Sequence, residues 1–300
     1  MNTKNFLNIL ACPECKTRLN QKSELQLECT SCNHVFEIRE NIPILLMEDF
    51  DKSLSSQDKK FELEFMRQAV EKDAVKGFDR GVYASLKEQE YRDLFNNILI
   101  PSQDEEQLIL DLGCGVGLSS IILSEYSYEV VGLDILLEGL KKAKNILKPG
   151  EDLPFLIVGD VERTPFLDHT FNAIFIGGVL HHFPNYITAL RECYRILKPK
   201  GKLIALEPNW LDFYSTLKFI IGRLKGYQSI NESTLNPFKF RKNAEKYFHD
   251  VQLIYPGINH TKYIINDTLK KKLSAFFRNS FYTLFPEICS NQFFVAIGIK

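Results

Sequence analysis

From residue 108 onward the chain alternates short apolar runs with stretches of helical periodicity. Residues 108–110 (LIL) are apolar, and Leu118, Ile121, Ile122 and Tyr126 follow at spacings of three and four. Residues 128–133 (YEVVGL) form the next run, and 135–147 read as a helix broken by Pro149 and Gly150. Further runs at 155–158, 171–178, 202–206, 251–255 and 293–299 bring the predicted strands to seven. An amphipathic helix is predicted at 186–197, with Ile187, Leu190, Tyr194 and Leu197 on one side, and Lys198–Gly201 (KPKG) as a turn. Short apolar runs alternating with helices of ten or more residues predict an α/β domain. Upstream, residues 61–70 and 83–100 carry helical spacing, and Pro101 stops the second. The polar, serine-bearing stretch 49–58 predicts a linker.

The first run leads into Asp111 and then into glycines at 113, 115 and 117. A strand, a glycine turn and a helix in this order bring backbone N–H groups close to a ligand at a helix N-terminus. Asp134, at the end of the next run, lies 21 positions past Gly113. A carboxylate there can accept hydrogen bonds from ribose hydroxyls. The dinucleotide fingerprint wants its third glycine five positions after the first, where this chain has Leu118. The competing reading is a glycine turn in some other doubly wound protein.

The run DLGCGVG (111–117) resembles motif I of class I S-adenosylmethionine (SAM)-dependent methyltransferases. The resemblance spans about residues 80–300 and is dense over 108–207. It implies an α/β, doubly wound, Rossmann-like sheet of seven mostly parallel strands, with the last strand antiparallel. It also implies SAM as methyl donor, with cofactor contacts at Asp111, Gly113, Gly115, Gly117, Asp134, Ile135, Asp160, Val161 and Gly177. The methionine end of SAM is a zwitterion, so Asp111 suits its ammonium and the helix N-terminus its carboxylate. Within GDVE (159–162), Asp160 fits the position that bonds the adenine amino group, and Val161 the N–H beside it. A solvated strand-tip carboxylate is the plainer alternative. VLHHFPN (179–185) and LKPKGKL (197–203) resemble the type 11-like branch that contains ubiquinone and menaquinone biosynthesis enzymes. That branch usually has Asp where this chain has Asn172. His182 and His181 are candidate general bases, His182 preferred, since imidazole is poised near neutral pH. The alternative is that they orient the turn by bonding backbone. Related enzymes close the SAM pocket with helices near 83–100, which makes Tyr83 and Gln89 candidates beside a plain packing or surface role.

Four of the seven cysteines, Cys12, Cys15, Cys29 and Cys32, form two CxxC knuckles separated by thirteen residues. Four thiolates at this spacing predict one structural Zn²⁺. Paired disulfides or a redox motif are the alternatives, and a chain without a secretion signal disfavours the first. His34 reads as a bystander. NILACPECKTRL (8–19) and VFEIRENIPILL (35–46) resemble the small zinc-ribbon proteins that activate tRNA and protein methyltransferases. Similar fusions occur among rRNA guanine methyltransferases and enzymes of small-molecule metabolism. The expected organisation is a zinc ribbon over 1–50, a linker and helix over 51–79, and a methyltransferase domain over 80–300. Residues 208–250 are expected to form a substrate lid.

Composition narrows the partners. No apolar run reaches a bilayer span and no leader pattern opens the chain, so a cytoplasmic location is expected. The net charge of −1 hides an asymmetry: residues 211–300 carry 13 Lys/Arg against 6 Asp/Glu, while the ribbon carries 5 against 7. The lid segment interleaves Trp210, Phe213, Tyr214, Phe219, Phe238 and Phe240 with Lys218, Arg223, Lys225, Lys239, Arg241 and Lys242. These features predict O- or C-methylation of a small, partly apolar acceptor of quinone, lipid or polyketide type. A second reading is an rRNA or tRNA base methyltransferase, for which the basic C-terminal third speaks. Against it stand the acidic ribbon and the lack of an N/D-P-P-Y/F motif. A third is a SAM-binding regulatory or activating subunit whose ribbon recruits a protein partner. Residues 269–285, apolar and basic at helical spacing, read as a helix covering the sheet or as a peripheral membrane contact.

Overall fold

The computed structural model describes residues 3–47, 64, 67, 68, 82–98, 107–126, 128–146, 154–183, 185–224, 233–255 and 293–300. A short helix α1 (Thr3–Leu7) precedes a small antiparallel sheet of β1 (Leu19–Ser23), β2 (Gln26–Cys29), β3 (Val35–Arg39) and β4 (Ile42–Pro43), paired in chain order. The large sheet contains β5 (Leu108–Leu112), β6 (Glu129–Asp134), β7 (Phe155–Val158), β8 (Phe171–Gly177), β9 (Leu197–Pro208), β10 (His249–Ile254) and β11 (Phe293–Ile299). Its order is β10-β11-β9-β8-β5-β6-β7, and β11 runs antiparallel to both its neighbours. The remaining pairings, β5 with β6 and β8, β6 with β7, and β8 with β9, are parallel. This is the mostly parallel seven-stranded sheet that the apolar runs and the resemblance lead one to expect.

Parallel strands are covered on both faces, so their side chains are apolar in near-continuous runs. On one face, helices α2 (Val82–Ile98) and α3 (Leu118–Ser124) place Tyr91, Phe95 and Ile122 against Phe175 and Ile204. The Phe95 ring meets Phe175 edge-on at 5.0 Å. The opposite face is covered by α5 (Ile187–Ile196), through Leu190, Cys193 and Ile196, and by α7 (Pro237–Ala244), through Phe240. Helix α4 (Leu137–Ile146) packs Leu140 and Ala143 beside Leu156 and Val158. The predicted turn at 198–201 lies inside β9. Leu197 already pairs with Phe171, Lys202 then pairs with Ala173, and the residues between loop out with Lys200 at φ +66°. Asn172 sits beside this bulge, accepting from Leu108 N–H and Lys198 Nζ, at the end of β8 remote from the glycine turn.

The ribbon and the large sheet share one apolar core. Leu10, Cys12, Leu27, Phe36 and Leu45 belong to the same cluster as Val131, Leu133, Ile157 and Phe166. Backbone bonds stitch the seam: Ala11 N–H to Pro165 O at 2.9 Å, Leu167 N–H to Ile9 O at 3.1 Å, and Leu45 N–H to Val158 O at 2.8 Å. Lys16 Nζ adds bonds to Thr164 O and to Glu192 Oε2 at 3.0 Å. The linker at 49–58, the break at 149–150, the stretch at 269–285 and the Tyr83 side chain lie outside the described residues. Of 61–70, only Glu64, Arg67 and Gln68 are described, and all three are helical. Gln89 is exposed on α2 and donates to Asp93. No described helix is long and apolar enough to cross a membrane.

Candidate active site

The carboxyl ends of β5, β6, β7, β8 and β9 converge on one rim, where ligands bind in open α/β sheets. β5 delivers the glycine turn. Gly113 has φ +76°, and a Cβ there would stand 2.4 Å from Val179 Cγ2, so Val179 fills the space that glycine leaves. Gly115 differs. Its φ is +58°, yet a Cβ would meet nothing within 4 Å, so its face opens onto free space. Gly117 heads α3, and Gly113 and Cys114 N–H both donate to Leu133 O of β6.

Three carboxylates surround this turn. Asp111 is 1% exposed, and its Oδ2 accepts the Ser119 and Ser120 hydroxyls, each at 2.6 Å. Burial pushes the Asp111 carboxyl up to about 6, against the pull of those hydroxyls. Asp134 ends β6 with Oδ1 accepting Leu136 N–H and Oδ2 accepting Gly115 N–H at 2.8 Å. Burial raises its pKa as well, opposed by these amides and by the nearby His182. Asp160 follows β7, and its Oδ1 takes Glu162 N–H to close a tight turn beside the buried Val161. Ile135 is half-buried between Asp134 and Leu136, and Gly177 ends β8 close to the Tyr91 hydroxyl. The structure therefore gathers every predicted cofactor residue on one rim.

A second group faces the turn from β8 and β9. Residues Leu180–His182 form one turn of 3₁₀ helix. Glu207, fully buried, organises it: Oε1 accepts Val179 and Leu180 N–H at 3.1 and 2.8 Å, and Oε2 accepts His181 N–H. The His181 Nδ1 lies 3.0 Å from Glu207 Oε2. A carboxylate only accepts, so Nδ1 carries the proton and a neutral ring keeps its lone pair on Nε2. The His182 ring packs on His181 at 4.2 Å, and Phe219 of α6 (Phe213–Leu224) meets His181 edge-on at 5.7 Å. Ser233 N–H returns to His181 O. In the sequence Glu207 stands at the carboxyl end of the predicted fifth strand, on the rim where ligands bind, and nothing local marks it as the holder of the histidine turn.

The cysteines form a separate centre. Their Sγ atoms all lie within 4.8 Å of one another, with Cys15–Cys29 at 3.3 Å and Cys12–Cys32 at 3.6 Å. Zn–S bonds of about 2.3 Å in a tetrahedron set sulfur atoms about 3.8 Å apart, so the cluster is compatible with zinc. Backbone and hydroxyl hydrogen bonds from Thr17 bring the exposed Cys15 down to about 6, whereas burial pushes Cys12 up to about 12. His34 Nδ1 lies 3.2 Å from Cys32 Sγ, beside the cluster.

The sheet order, its single antiparallel strand and the glycine turn facing acidic strand ends define a class I SAM-dependent methyltransferase. Residues 110–205 match the methyltransferase domain family of type 11, and residues 3–41 match the Trm112p-like proteins. The demethylmenaquinone methyltransferase of a Geobacillus species is 32% identical over 170 residues, which is 48% of this chain and 70% of that protein. The Listeria welshimeri enzyme of the same name is 30% identical, over 52% of this chain and 72% of its own. Among solved structures, the complex of the Haloferax volcanii Trm112 methyltransferase activator with a methyltransferase aligns with a TM-score of 0.54 and 17% identity. The match covers 77% of this chain and 96% of that one, a likeness of fold. The chain belongs to the methyltransferase family that includes the demethylmenaquinone methyltransferases.

Proposed function

We propose that this enzyme transfers the methyl group of SAM to a quinone-type acceptor bearing an apolar portion. The observation that carries the reading is the His181–Glu207 pair, buried under Phe219 on the rim next to the glycine turn. Its support from relatives is the pair of demethylmenaquinone methyltransferases, whose names state a quinone substrate. SAM fits the turn on two counts: open space above Gly115, and the buried negative charge of Asp111 and Asp134 set against a cationic donor. In this reading Asp134 receives the ribose hydroxyls, while Asp160 and the Val161 N–H receive the adenine. Asp111 attracts the ammonium electrostatically, because its Oδ2 already serves Ser119 and Ser120.

When bound, SAM supplies a methyl group already activated on a sulfonium. The protein's share is positioning and proton removal. His181 Nε2 takes the proton from an acceptor hydroxyl, and Glu207 holds the ring in the tautomer that allows it. The oxygen so deprotonated, or the ring carbon beside it, would be the nucleophile toward the methyl group that SAM supplies. His182 packs on the His181 ring and acts on Asp134 through its charge. Zinc held by Cys12, Cys15, Cys29 and Cys32 is structural, since four thiolates leave no open position.

The test is transfer of labelled methyl from SAM into a demethylquinol and into total RNA. Label is expected in the quinol. Glu207→Gln and His181→Ala should lower kcat by about 10²-fold or more while SAM affinity stays within a few fold. Label in RNA alone would refute the acceptor. A His181→Ala enzyme of wild-type rate would refute the base.

A further inference from the structure

Helix α6 has two unlike sides. Its Phe219 lies on the His181 ring, whereas Ile220, Ile221 and Leu224 are exposed, Leu224 to 83%. Residues four apart share a helix face, so the row Thr216, Ile220, Leu224 runs along one side. Thr216 ties the head of that row to the rest of a patch: its Oγ1 donates to Trp210 O and lies 3.3 Å from Thr234 Oγ1. Trp210, itself half exposed, bonds through N–H to Leu235 O, and exposed Phe238 opens α7 three residues later. Five large apolar side chains are thus exposed along α6, at Trp210 and in the first turn of α7, away from the α6 face that meets His181. Soluble proteins rarely leave such a patch open without a partner.

The charge around it selects the partner. Between Trp210 and Lys242 the chain carries six Lys/Arg against Asp212 and Glu232, and Asp212 is buried. Arg223, Lys239 and Lys242 are exposed near the patch, and the exposed Arg241 pairs with Glu245 at 2.7 Å. Aromatic and aliphatic side chains flanked by long cations are the composition of a helix that lies in a bilayer interface. Tryptophan suits that depth because its ring is amphipathic. We propose that the outer face of α6, with Trp210 and Phe238, docks on an anionic lipid surface, so that a lipid-soluble acceptor passes under the helix to His181. This rests on the proposed acceptor for its purpose, and the docking itself is measured without any acceptor.

Trp210 is the only tryptophan, so its emission reports this patch alone. The experiment mixes the full protein with phosphatidylcholine vesicles, with or without one-third phosphatidylglycerol. It follows co-sedimentation and Trp210 fluorescence. With the anionic vesicles the protein should sediment and the emission should shift blue. An Ile220→Ser, Leu224→Ser double variant should bind about tenfold more weakly while its SAM-induced thermal shift stays as in the parent. Sedimentation without an emission shift, or binding unchanged in the double variant, would place lipid contact elsewhere and overturn the proposal. So would the absence of lipid binding together with a dimer, or an RNA complex, that the double variant dissolves. A water-soluble short-chain quinol separates the two readings. Its methylation by a protein that ignores vesicles sinks the docking alone, and vesicle binding without quinol methylation sinks the acceptor alone.

Discussion

Glu192 in the seam and Asp111 beneath the glycine turn are both nearly sealed from water, yet their surroundings drive them in opposite directions. Burial raises Glu192, but the bonds and charge of Arg195 and Lys16 outweigh it and hold the carboxyl at about 2. Its two oxygens receive Arg195 Nε and NH2, Lys16 Nζ and the Thr164 hydroxyl. Asp111 receives hydroxyls instead of cations, and burial takes it up to about 6. The nearby charge of Asp134 pushes the same way. One region is electrostatically finished by the chain itself. The other is left short of positive charge, which the proposed cationic donor would supply.

Three experiments can break or sharpen that contrast. The largest effect is expected from the metal, because apparent binding energies of structural zinc run to about 10 kcal/mol and folding of a small ribbon depends on them. Purified protein should carry one zinc per chain. Cys29→Ser should unfold the ribbon and lower the thermal midpoint by ten degrees or more, on the order of several kcal/mol, with SAM still bound. Elemental analysis without zinc would end the metal assignment, and loss of SAM binding in the variant would show that turn and seam are not separable.

Next comes Glu192→Gln, which removes the charge that Arg195 and Lys16 share. Stability at neutral pH should fall by about 2 kcal/mol. The folded pKa is depressed below the ordinary 4.5, so this contribution is complete above that pH and is lost as pH falls towards 2. Denaturant titrations should show a steeper acid loss in the parent than in the variant across that window. Parallel curves would mean that Glu192 is not the acid that holds the seam.

The smallest effect concerns Asp111. Its folded pKa is raised, so it takes up a proton as pH drops through about 6 and then no longer attracts a cation. SAM affinity should fall severalfold between pH 7 and 5, and Asp111→Asn should flatten the dependence. Calorimetry giving an equally steep profile in both proteins would assign the titration to another group.

The features legible in the sequence are those set by neighbours along the chain. The seven strands follow from apolar runs, the turn from glycine spacing, and the thiol cluster from two knuckles whose backbone folds locally. Glu207 was not legible as the holder of the histidine turn, because its partners lie 26 to 28 residues away and meet it only when β8 and β9 pair. Lys16 and Glu192 are 176 residues apart, and nothing local marks either as half of a pair. The aromatics of 208–250, where a lid is expected, were legible as aromatic but not as to duty. Phe240 stacks on Tyr186 under the sheet and Phe248 is buried beneath Gly298, whereas Phe219 reaches His181. Asn172 departs from the Asp usual in the branch, and its amide oxygen accepts from Leu108 N–H and Lys198 Nζ.

Strand β7 is the last in its sheet, and an unpaired outer strand offers its backbone as a template to any other chain. Here the ribbon occupies it: Ile44 bridges Val158 in parallel, and Phe6 stacks on Phe155 at 4.5 Å. Because this guard is carried on the same polypeptide, its effective concentration is set by the tether and does not dilute with the protein. The four cysteines of the ribbon therefore bear on solubility, since a ribbon that lets go uncovers an outer strand able to recruit a stranger.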